Sequence, residues 1–390
     1  FGARSAMRAA VLLAFLGAIL AGCAGASGSD PSEGRREGGG PDGRETGGSE
    51  EDALLDEMSV REMVGQVFVI SVGGTKPDYY VEKMVRERNV GGVILFGHNM
   101  QSEEQVRSLT GSLQKLSIET EPAIPLLVAV DQEGGDIASA PWVAPQPSAA
   151  EIGRRGDPAE ARAVAEVMGS QLLRAGVNTD LAPVVDTGFG AAIGARSYGE
   201  DPRLVAQLGA AAVTGFENAG IVSAAKHFPN HGPATTDSHV GLPVIRHDAG
   251  TLTSHDLPPF RAAVEAGVPM VMVGHLVYPA IDPDTPASLS AEAVGLLRRD
   301  LGFEGVVVTD DLAMAGATGG GSPARAAVEA VKAGADLLIV SSQPQKQADA
   351  YDAVVAAVES GEIAPGRIRE AVGRVLGVKD RYDLHGGLQH

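Results

Sequence analysis

The sequence is poor in cysteine, in aromatic side chains and in clustered positive charge. Its 390 residues include one cysteine, and aromatic residues make up 4% of the chain. A single cysteine excludes an intrachain disulfide framework. The formal net charge is −19, and the lysines and arginines are scattered along the chain. A nucleic-acid-binding surface needs a concentration of positive charge, so we expect no nucleic-acid partner.

A short apolar run lies near the N-terminus, from Ala9 to Leu20, and it follows Arg4 and Arg8. The run is too short to span a bilayer but suits the apolar part of a secretory signal peptide. It leads into Leu20-Ala21-Gly22-Cys23, which resembles a bacterial lipobox and contains the only cysteine. The resemblance implies cleavage before Cys23 and a diacylglycerol on its thiol. We therefore expect a membrane-anchored, extracytoplasmic bacterial lipoprotein; an inert leader cysteine is the alternative.

The composition divides the chain into four segments. Residues 24 to about 50 are rich in Gly, Ser, Pro and charged side chains without an apolar period, which is typical of a flexible tether. The remaining length is enough for one large α/β domain. We predict a signal peptide at 1–22, a tether at 23–51, a folded domain at 52–380 and a tail at 381–390.

From residue 52 onward, short apolar runs alternate with segments of helical apolar spacing. The candidate strands are 66–72, 91–96, 125–130, 179–185, 221–226, 269–274, 305–309 and 335–340. The candidate helices are 101–117, 158–175, 202–219, 255–266, 290–300, 323–333, 345–359 and 366–379. Strands that are apolar on both faces are typical of parallel sheets covered by helices. The pattern predicts a (β/α)8 TIM-type barrel. A doubly wound sheet is the alternative, although no early Gly-rich nucleotide fingerprint is present.

Polar side chains follow the predicted strands at the points where these strands end. They are Asp131, Asp186, Lys226, His227, His275 and Asp310. Any one of them could cap a helix or brace a loop. Because the carboxyl ends of all strands of a parallel barrel share one mouth, their convergence indicates a catalytic site.

The segment after the fifth strand holds the densest group of polar side chains, with His227, His231, Asp237 and His239 within thirteen residues. These types can bind a metal, but Pro and Gly interrupt the segment and no H-x-x-x-H pair lies on a predicted helix. In an extended segment, Asp237 and His239 would point to the same side. A carboxylate beside an imidazole fixes its tautomer, so this pair is an alternative acid/base group.

Two further strand ends carry adjacent acids. Asp310 and Asp311 follow the seventh strand. One carboxylate would point into the mouth, and Asp311 could instead cap a helix, which leaves Asp310 as a nucleophile or metal ligand. Asp131 and Glu133 follow the third strand and precede two glycines. An acid there could accept hydrogen bonds from sugar hydroxyls or orient the loop.

Six motifs together resemble glycoside hydrolase family 3, and most closely its single-domain β-N-acetylglucosaminidase branch. They are AVDQEGG (129–135), ARSYGEDP (195–202), AAKHFPNHGPATTDSH (224–239), LPPF (257–260), VMVGHLVYPAID (271–282) and GFEGVVVTDDLAMAGA (302–317). They occur in the family's order, and the resemblance covers roughly residues 54–380.

The resemblance implies a retaining exo-glycosidase that removes terminal N-acetylglucosamine from peptidoglycan fragments or amino-sugar oligosaccharides. It implies that Asp310 is the nucleophile and that His239, paired with Asp237, is the acid/base. The implied sugar-binding residues are Asp131, Arg196, Lys226 and His227, with His231 and His275 as support. No metal or other cofactor is implied, and we expect a monomer. Lys226 and Arg196 would lower the pKa of nearby acids and keep Asp310 ionised.

The sequence also departs from the family's pattern. Asp136-Ile137-Ala138-Ser139 stands where the family usually has arginines, and Asn230 stands where Gly is usual. These changes bear on the leaving-group subsite and on loop conformation. Three alternatives therefore stay open: a β-glucosidase or glycoside phosphorylase with the same nucleophile, a non-catalytic lipid-anchored sugar-binding protein, and a metal-dependent hydrolase.

Overall fold

A computed structural model describes residues 50–319 and 321–384 of the chain. The predicted signal peptide, Cys23 and nearly all of the predicted tether lie outside the described residues, as does residue 385 onward. In the part that is described, no helix combines the length and the apolar character needed to cross a bilayer.

Eight parallel strands form the centre of the fold. They are β1 (Phe68–Ser71), β2 (Gly92–Ile94), β3 (Leu127–Val130), β4 (Thr179–Asp180), β5 (Val222–Phe228), β6 (Met270–Val273), β7 (Val306–Thr309) and β8 (Leu338–Val340). The strands pair in chain order from β1 to β7, and β8 pairs with β1. A bridge between Val308 and Leu337 brings the two remaining edges together. The fold is therefore a (β/α)8 barrel, as the alternating pattern predicts.

Helices surround the barrel. The α-helices are Glu50–Glu57, Val60–Gln66, Tyr79–Arg88, Glu103–Ile118, Ala149–Arg155, Pro158–Leu173, Pro202–Ala219, Ala249–Thr251, Leu257–Glu265, Ala291–Gly295, Ala315–Thr318, Pro323–Ala333, Pro344–Glu359 and Pro365–Arg381. Two π-helical turns, Leu252–Asp256 and Leu296–Asp300, and three 3-10 turns, Gly97–Asn99, Gly194–Arg196 and Ala287–Leu289, complete the set. Side chains at the N-terminus determine where a helix begins. In Pro202–Ala219, the Asp201 side chain accepts the Arg203 N–H, and Pro202 takes the first helical position.

The barrel interior is filled by aliphatic side chains from seven of the strands and by Leu181, which directly follows β4. Four of them, Ile94, Leu181, Met272 and Ile339, form the apolar floor of a cavity at the carboxyl ends of the strands. Parallel strands are buried on both faces, which explains why each predicted strand reads as a continuous apolar run.

One buried carboxylate organises the opposite end of the barrel. Asp336 is fully buried and accepts the Val307 N–H at 2.9 Å. Its oxygens also form ion pairs with Arg298, Arg367 and Arg374. The π-helical turn Leu296–Asp300 and helix Pro365–Arg381 are thereby tied to the start of β8 and to β7.

The observed bounds of all eight strands differ from the predicted ones, and the changes at the ends of β4 and β5 concern the site. β4 spans Thr179–Asp180 rather than 179–185, because Pro183 has no N–H to donate to a ladder. β5 extends to Phe228 rather than ending at residue 226. Lys226 and His227 therefore lie within the strand and not in the loop after it.

Candidate active site

The cavity at the carboxyl ends of the strands has a volume of about 440 Å³, a size suited to a small ligand. Polar side chains form its walls. All eight residues predicted to act in catalysis or sugar binding line it: Asp131, Arg196, Lys226, His227, His231, Asp237, His239 and Asp310. The structure thus brings these residues together, while their chemical roles stay predictions.

An irregularity in β5 lets two consecutive side chains reach the cavity. The register between β5 and β6 shifts between Ala225 and Phe228. In a regular strand, neighbouring side chains point to opposite faces. Lys226 and His227 nevertheless both line the cavity, so β5 contributes two functional groups at one point.

A network of four charges forms one wall. The Lys226 ammonium lies 2.6 Å from Asp131 Oδ1 and 2.7 Å from Glu133 Oε1. Arg196 binds Glu133 with two parallel hydrogen bonds of 2.7 and 2.8 Å. Burial raises the pKa of Glu133, but Lys226 and Arg196 outweigh it and lower the pKa to about 2. The pKa values of Lys226 and Arg196 are raised, because the nearby carboxylates outweigh their burial.

Glu133 is therefore a member of the site that the sequence-based set of binding residues omitted. Its side chain is 6% exposed. Its place after a strand end and before two glycines was the available signal. The pairing of Glu133 with Arg196 could not be predicted from this position, because Arg196 lies 63 residues away in the chain.

A second buried carboxylate, Asp186, orients His227. The Nδ1 atom of His227 lies 2.7 Å from Asp186 Oδ2. The other oxygen accepts the backbone N–H groups of His227 and His231 at 3.1 and 2.6 Å. Burial raises the pKa of Asp186, but His227 outweighs burial and lowers this pKa below its usual range. A proton on Nδ1 leaves Nε2 of His227 as an acceptor, 3.4 Å from an Arg196 nitrogen.

Asp310 directly follows β7, and its Oδ1 accepts the Asp311 N–H at 2.8 Å. Burial raises the pKa of Asp310, but His275, His227 and that N–H lower it to about 2. The carboxylate is therefore ionised at neutral pH. From the sequence, we expected Lys226 and Arg196 to lower the pKa of Asp310. Lys226 contributes to the lowering, whereas the Arg196 guanidinium is bound to Glu133.

Asp311 has a different environment from its neighbour. It does not cap a helix, because Met314 holds the N-cap position of the next one. Its Oδ1 accepts the N–H groups of Ala313 and Ser341 at 3.0 and 2.9 Å, which ties β7 to the end of β8. Its carbonyl accepts a bond from His275 Nε2 at 2.9 Å. Asp310 is therefore the carboxylate that remains available to a ligand.

His275 and His231 support the site, His275 from below the cavity surface and His231 from its wall. His275 is fully buried, and its Nδ1 lies 2.7 Å from the Ser288 hydroxyl. His231 Nε2 lies 3.1 Å from the Ser238 hydroxyl, which joins the end of β5 to the segment that carries Asp237. Burial lowers the pKa of His231, and the neighbouring His227 lowers it further.

Asp237 and His239 are adjacent through a turn, and not through the extended segment expected from their spacing. The Val240 and Gly241 N–H groups both donate to the Asp237 carbonyl at 3.1 Å. Asp237 Oδ1 accepts the His239 N–H at 2.9 Å and lies 2.8 Å from its Nδ1. Burial raises the pKa of Asp237, but these bonds lower it below its usual range. The His239 side chain is 70% exposed, so its other ring nitrogen can exchange protons.

The profile of the glycosyl hydrolase family 3 N-terminal domain matches residues 59–378. This chain belongs to glycosyl hydrolase family 3. The match covers the whole barrel that builds the cavity, and it places the chain among glycoside hydrolases.

Family 3 proteins from several bacteria are similar to this chain. It is 34% identical to beta-hexosaminidase A of Pseudoalteromonas piscicida, over 77% of this chain and 55% of that protein. It is 39% identical to a beta-hexosaminidase of Alkalilimnicola ehrlichii, over 71% of this chain and 81% of that one. A solved family 3 beta-N-acetylglucosaminidase from Paenibacillus sp. is 39% identical with a TM-score of 0.81, over 84% of this chain and 63% of that chain. The chain thus spans little more than half of the Pseudoalteromonas protein.

Proposed function

We propose that this family 3 protein is an exo-acting, retaining β-N-acetylglucosaminidase. The observation that carries the proposal is one cavity lined by a partly exposed, ionised Asp310 and by the Asp237–His239 pair. A retaining glycosidase needs a nucleophile and a proton donor around one sugar ring. The names of the similar bacterial proteins support an amino sugar as the substrate.

In the first step, an Asp310 oxygen attacks the anomeric carbon, and the bond from this carbon to the leaving oxygen breaks. The His239 imidazolium gives its Nε2 proton to that oxygen, which leaves as a hydroxyl. Asp237 holds the Nδ1 proton at 2.8 Å. Its charge stabilises the imidazolium and fixes the ring with Nε2 towards the leaving group.

In the second step, the neutral His239 Nε2 takes a proton from water, and the water oxygen attacks the anomeric carbon. The bond to Asp310 breaks and the carboxylate is restored. Two displacements at the same carbon retain the β configuration. The low pKa of Asp310 keeps the carboxylate ionised before the attack and favours its departure in the second step, because the free carboxylate is stabilised by its surroundings.

The four-charge wall supplies the groups that hold the sugar. Asp131 is 30% exposed and is placed to accept hydrogen bonds from hydroxyls. Arg196 and Lys226 donate, and Glu133 fixes both cations in position. Such oriented charges bind a sugar at little cost in side-chain entropy, because salt bridges already immobilise them.

Trapping the covalent intermediate tests the proposal. A 5-fluoro N-acetylglucosaminyl fluoride should add one sugar to the peptide that contains Asp310, detected by mass spectrometry after digestion. Asp310→Asn should show no adduct under the same conditions. An adduct on the peptide that contains Asp131 and Glu133 would overturn the assignment of the nucleophile.

Chromogenic substrates separate the competing activities. We expect turnover of p-nitrophenyl N-acetylglucosaminide to exceed that of the glucoside, with no sugar phosphate formed when phosphate is present. Preference for the glucoside, or a sugar phosphate product, would favour the β-glucosidase or phosphorylase alternative. Ligand binding without turnover of either substrate would favour a binding protein. Loss of turnover with EDTA would favour a metal-dependent hydrolase.

We also propose that a lipid on Cys23 anchors the protein outside the cytoplasmic membrane and that it acts as a monomer. The lipobox-like sequence supports the anchor. A cavity lined by side chains of one chain supports the monomer. Labelled palmitate should enter the wild type and not Cys23→Ser, which should appear in the medium. Light scattering of a protein that starts after Cys23 should give the mass of one chain.

A further inference from the structure

A second group of chemically reactive side chains lies outside the active site. It is found where the chain returns from the Asp237–His239 turn into the next helix. His247, His255 and Asp256 offer ligand atoms that all lie within 4.8 Å of one another. Over residues 50–319 and 321–384, these three form the one group of His, Cys, Asp or Glu with such a geometry. The histidines of the active site, in contrast, each bond to a different neighbour.

The distances within this group suit a metal ion. Nδ1 of His247 lies 2.9 Å from Asp256 Oδ2, and Nδ1 of His255 lies 3.0 Å from Oδ1. Tetrahedral Zn²⁺ with bonds of about 2.0–2.1 Å separates neighbouring ligand atoms by about 3.3 Å. Small side-chain rotations therefore suffice to admit an ion in place of the two hydrogen bonds. Neutral imidazoles can coordinate through Nδ1 when the proton moves to Nε2.

The carboxylate of the group is held in place from behind. Asp256 is fully buried, and Oδ1 accepts a hydrogen bond from Asn230 Nδ2 at 2.8 Å. Asn230 also accepts the Thr187 N–H at 2.9 Å, and its carbonyl accepts the Tyr278 hydroxyl at 2.6 Å. Hydrogen bonds of this kind orient carboxylate ligands in metal sites.

The two imidazoles are reachable from solvent. Their side chains are 27% and 31% exposed. His247 and His255 line a surface depression together with Glu200 and Thr251. Water can supply a fourth ligand. Two neutral imidazoles and one carboxylate carry one negative charge, and the two nitrogen donors favour Zn²⁺ and similar transition ions over Mg²⁺ or Ca²⁺.

We propose that His247, His255 and Asp256 bind one divalent transition-metal ion of the Zn²⁺ class. The ion joins the segment that returns from the Asp237–His239 turn to the start of helix Leu257–Glu265. It lies on different residues from the catalytic cavity and takes no part in bond cleavage. The proposal does not depend on the glycosidase activity.

Titration of the untagged protein with Zn²⁺ tests the site by calorimetry and by thermal unfolding. We expect one Zn²⁺ per chain, and a higher Tm with Zn²⁺ present. His247→Gln and His255→Gln should each weaken the Kd at least about tenfold and remove the rise in Tm. Both side chains are partly exposed, so these variants should fold, which circular dichroism checks. Co²⁺ in place of Zn²⁺ should give the absorption of a tetrahedral ion in the wild type but not in His247→Gln or His255→Gln.

Two controls locate the ion. His98→Gln removes an exposed histidine elsewhere on the surface, and His239→Gln removes the exposed histidine of the active site; both should bind Zn²⁺ as the wild type does. If His247→Gln and His255→Gln keep the Kd for Zn²⁺ and the rise in Tm of the wild type, the three side chains form a hydrogen-bonded group and not a metal site. Loss of binding in His239→Gln would place the ion in the active site. Either result would overturn the proposal.

Discussion

Lys379 is a buried lysine without an acidic partner among its hydrogen bonds, and replacing it should stabilise the protein at neutral pH. It lies in helix Pro365–Arg381, is fully buried, and donates to Gln66 Oε1 at 2.8 Å. Burial alone lowers its pKa from 10.5 to about 7. This difference corresponds to about 5 kcal/mol of unfavourable free energy for the charged form.

The sign of the effect depends on pH. Between pH 7 and 10.5, the unfolded chain binds a proton at Lys379 that the folded protein does not, so stability rises with pH across this window. At pH 7 and below, nearly the whole cost is present. Lys379→Met removes this cost and keeps the apolar length. It also leaves Gln66 Oε1 without its donor, which costs about 1–3 kcal/mol. We expect a net gain of about 2–4 kcal/mol at pH 7.

Urea unfolding at pH 7 and at pH 10 measures both parts of this prediction. The gain from Lys379→Met should shrink as pH rises and change sign near pH 10, where only the lost hydrogen bond remains. Lys83→Met replaces a half-exposed lysine that pairs with Glu87, and its effect should stay within about 0.5 kcal/mol at both pH values. Destabilisation of Lys379→Met at pH 7, or a gain independent of pH, would refute the reasoning.

Three further predictions concern carboxylates. Glu133→Gln should lower the free energy of unfolding by about 3–5 kcal/mol, because the two cations of the wall lose a shared partner; a loss below 1 kcal/mol in urea would contradict this. Asp336→Asn should cost a similar amount, because three arginines then lose their common counter-charge. Glu304→Gln, on the surface, is the control for both and should change little. The rate at which a 5-fluoro glycosyl fluoride labels Asp310 should be constant between pH 4 and 8, because its carboxylate, with a pKa of about 2, is ionised throughout; a tenfold fall at pH 4 would contradict the low pKa.

Much of the barrel can be predicted from the sequence because each strand is buried on both faces and reads as an apolar run. One of the helices that were missed, Tyr79–Arg88, buries Val81, Met84 and Val85. Its other side chains are polar or face solvent, so its apolar signal is weak. The end of β4 was misplaced because apolar content cannot show that Pro183 interrupts a ladder.

The members of the site could be predicted better than their partners. Residues that follow parallel strands must meet at one rim, so Asp131, Lys226 and Asp310 could be grouped before any coordinates were known. Which cation faces which carboxylate depends on side-chain directions at the rim. Arg196 reaches Glu133 from a 3-10 turn, and no periodicity predicts such a contact.

The distribution of charge in the cavity bears on the choice between water and phosphate as the second substrate. Lys226 and Arg196 contribute two positive charges, and Asp131 and Glu133 balance them. In the glycosyl-enzyme Asp310 is an uncharged ester, but the carboxylate of Asp237 still leaves the cavity walls negative while His239 is neutral. Residues 136–139 add no cation, although Ile137 and Ser139 line the cavity. Phosphate would therefore approach like charge at the moment when the glycosyl-enzyme is attacked, whereas water carries none. This electrostatic balance favours hydrolysis over phosphorolysis.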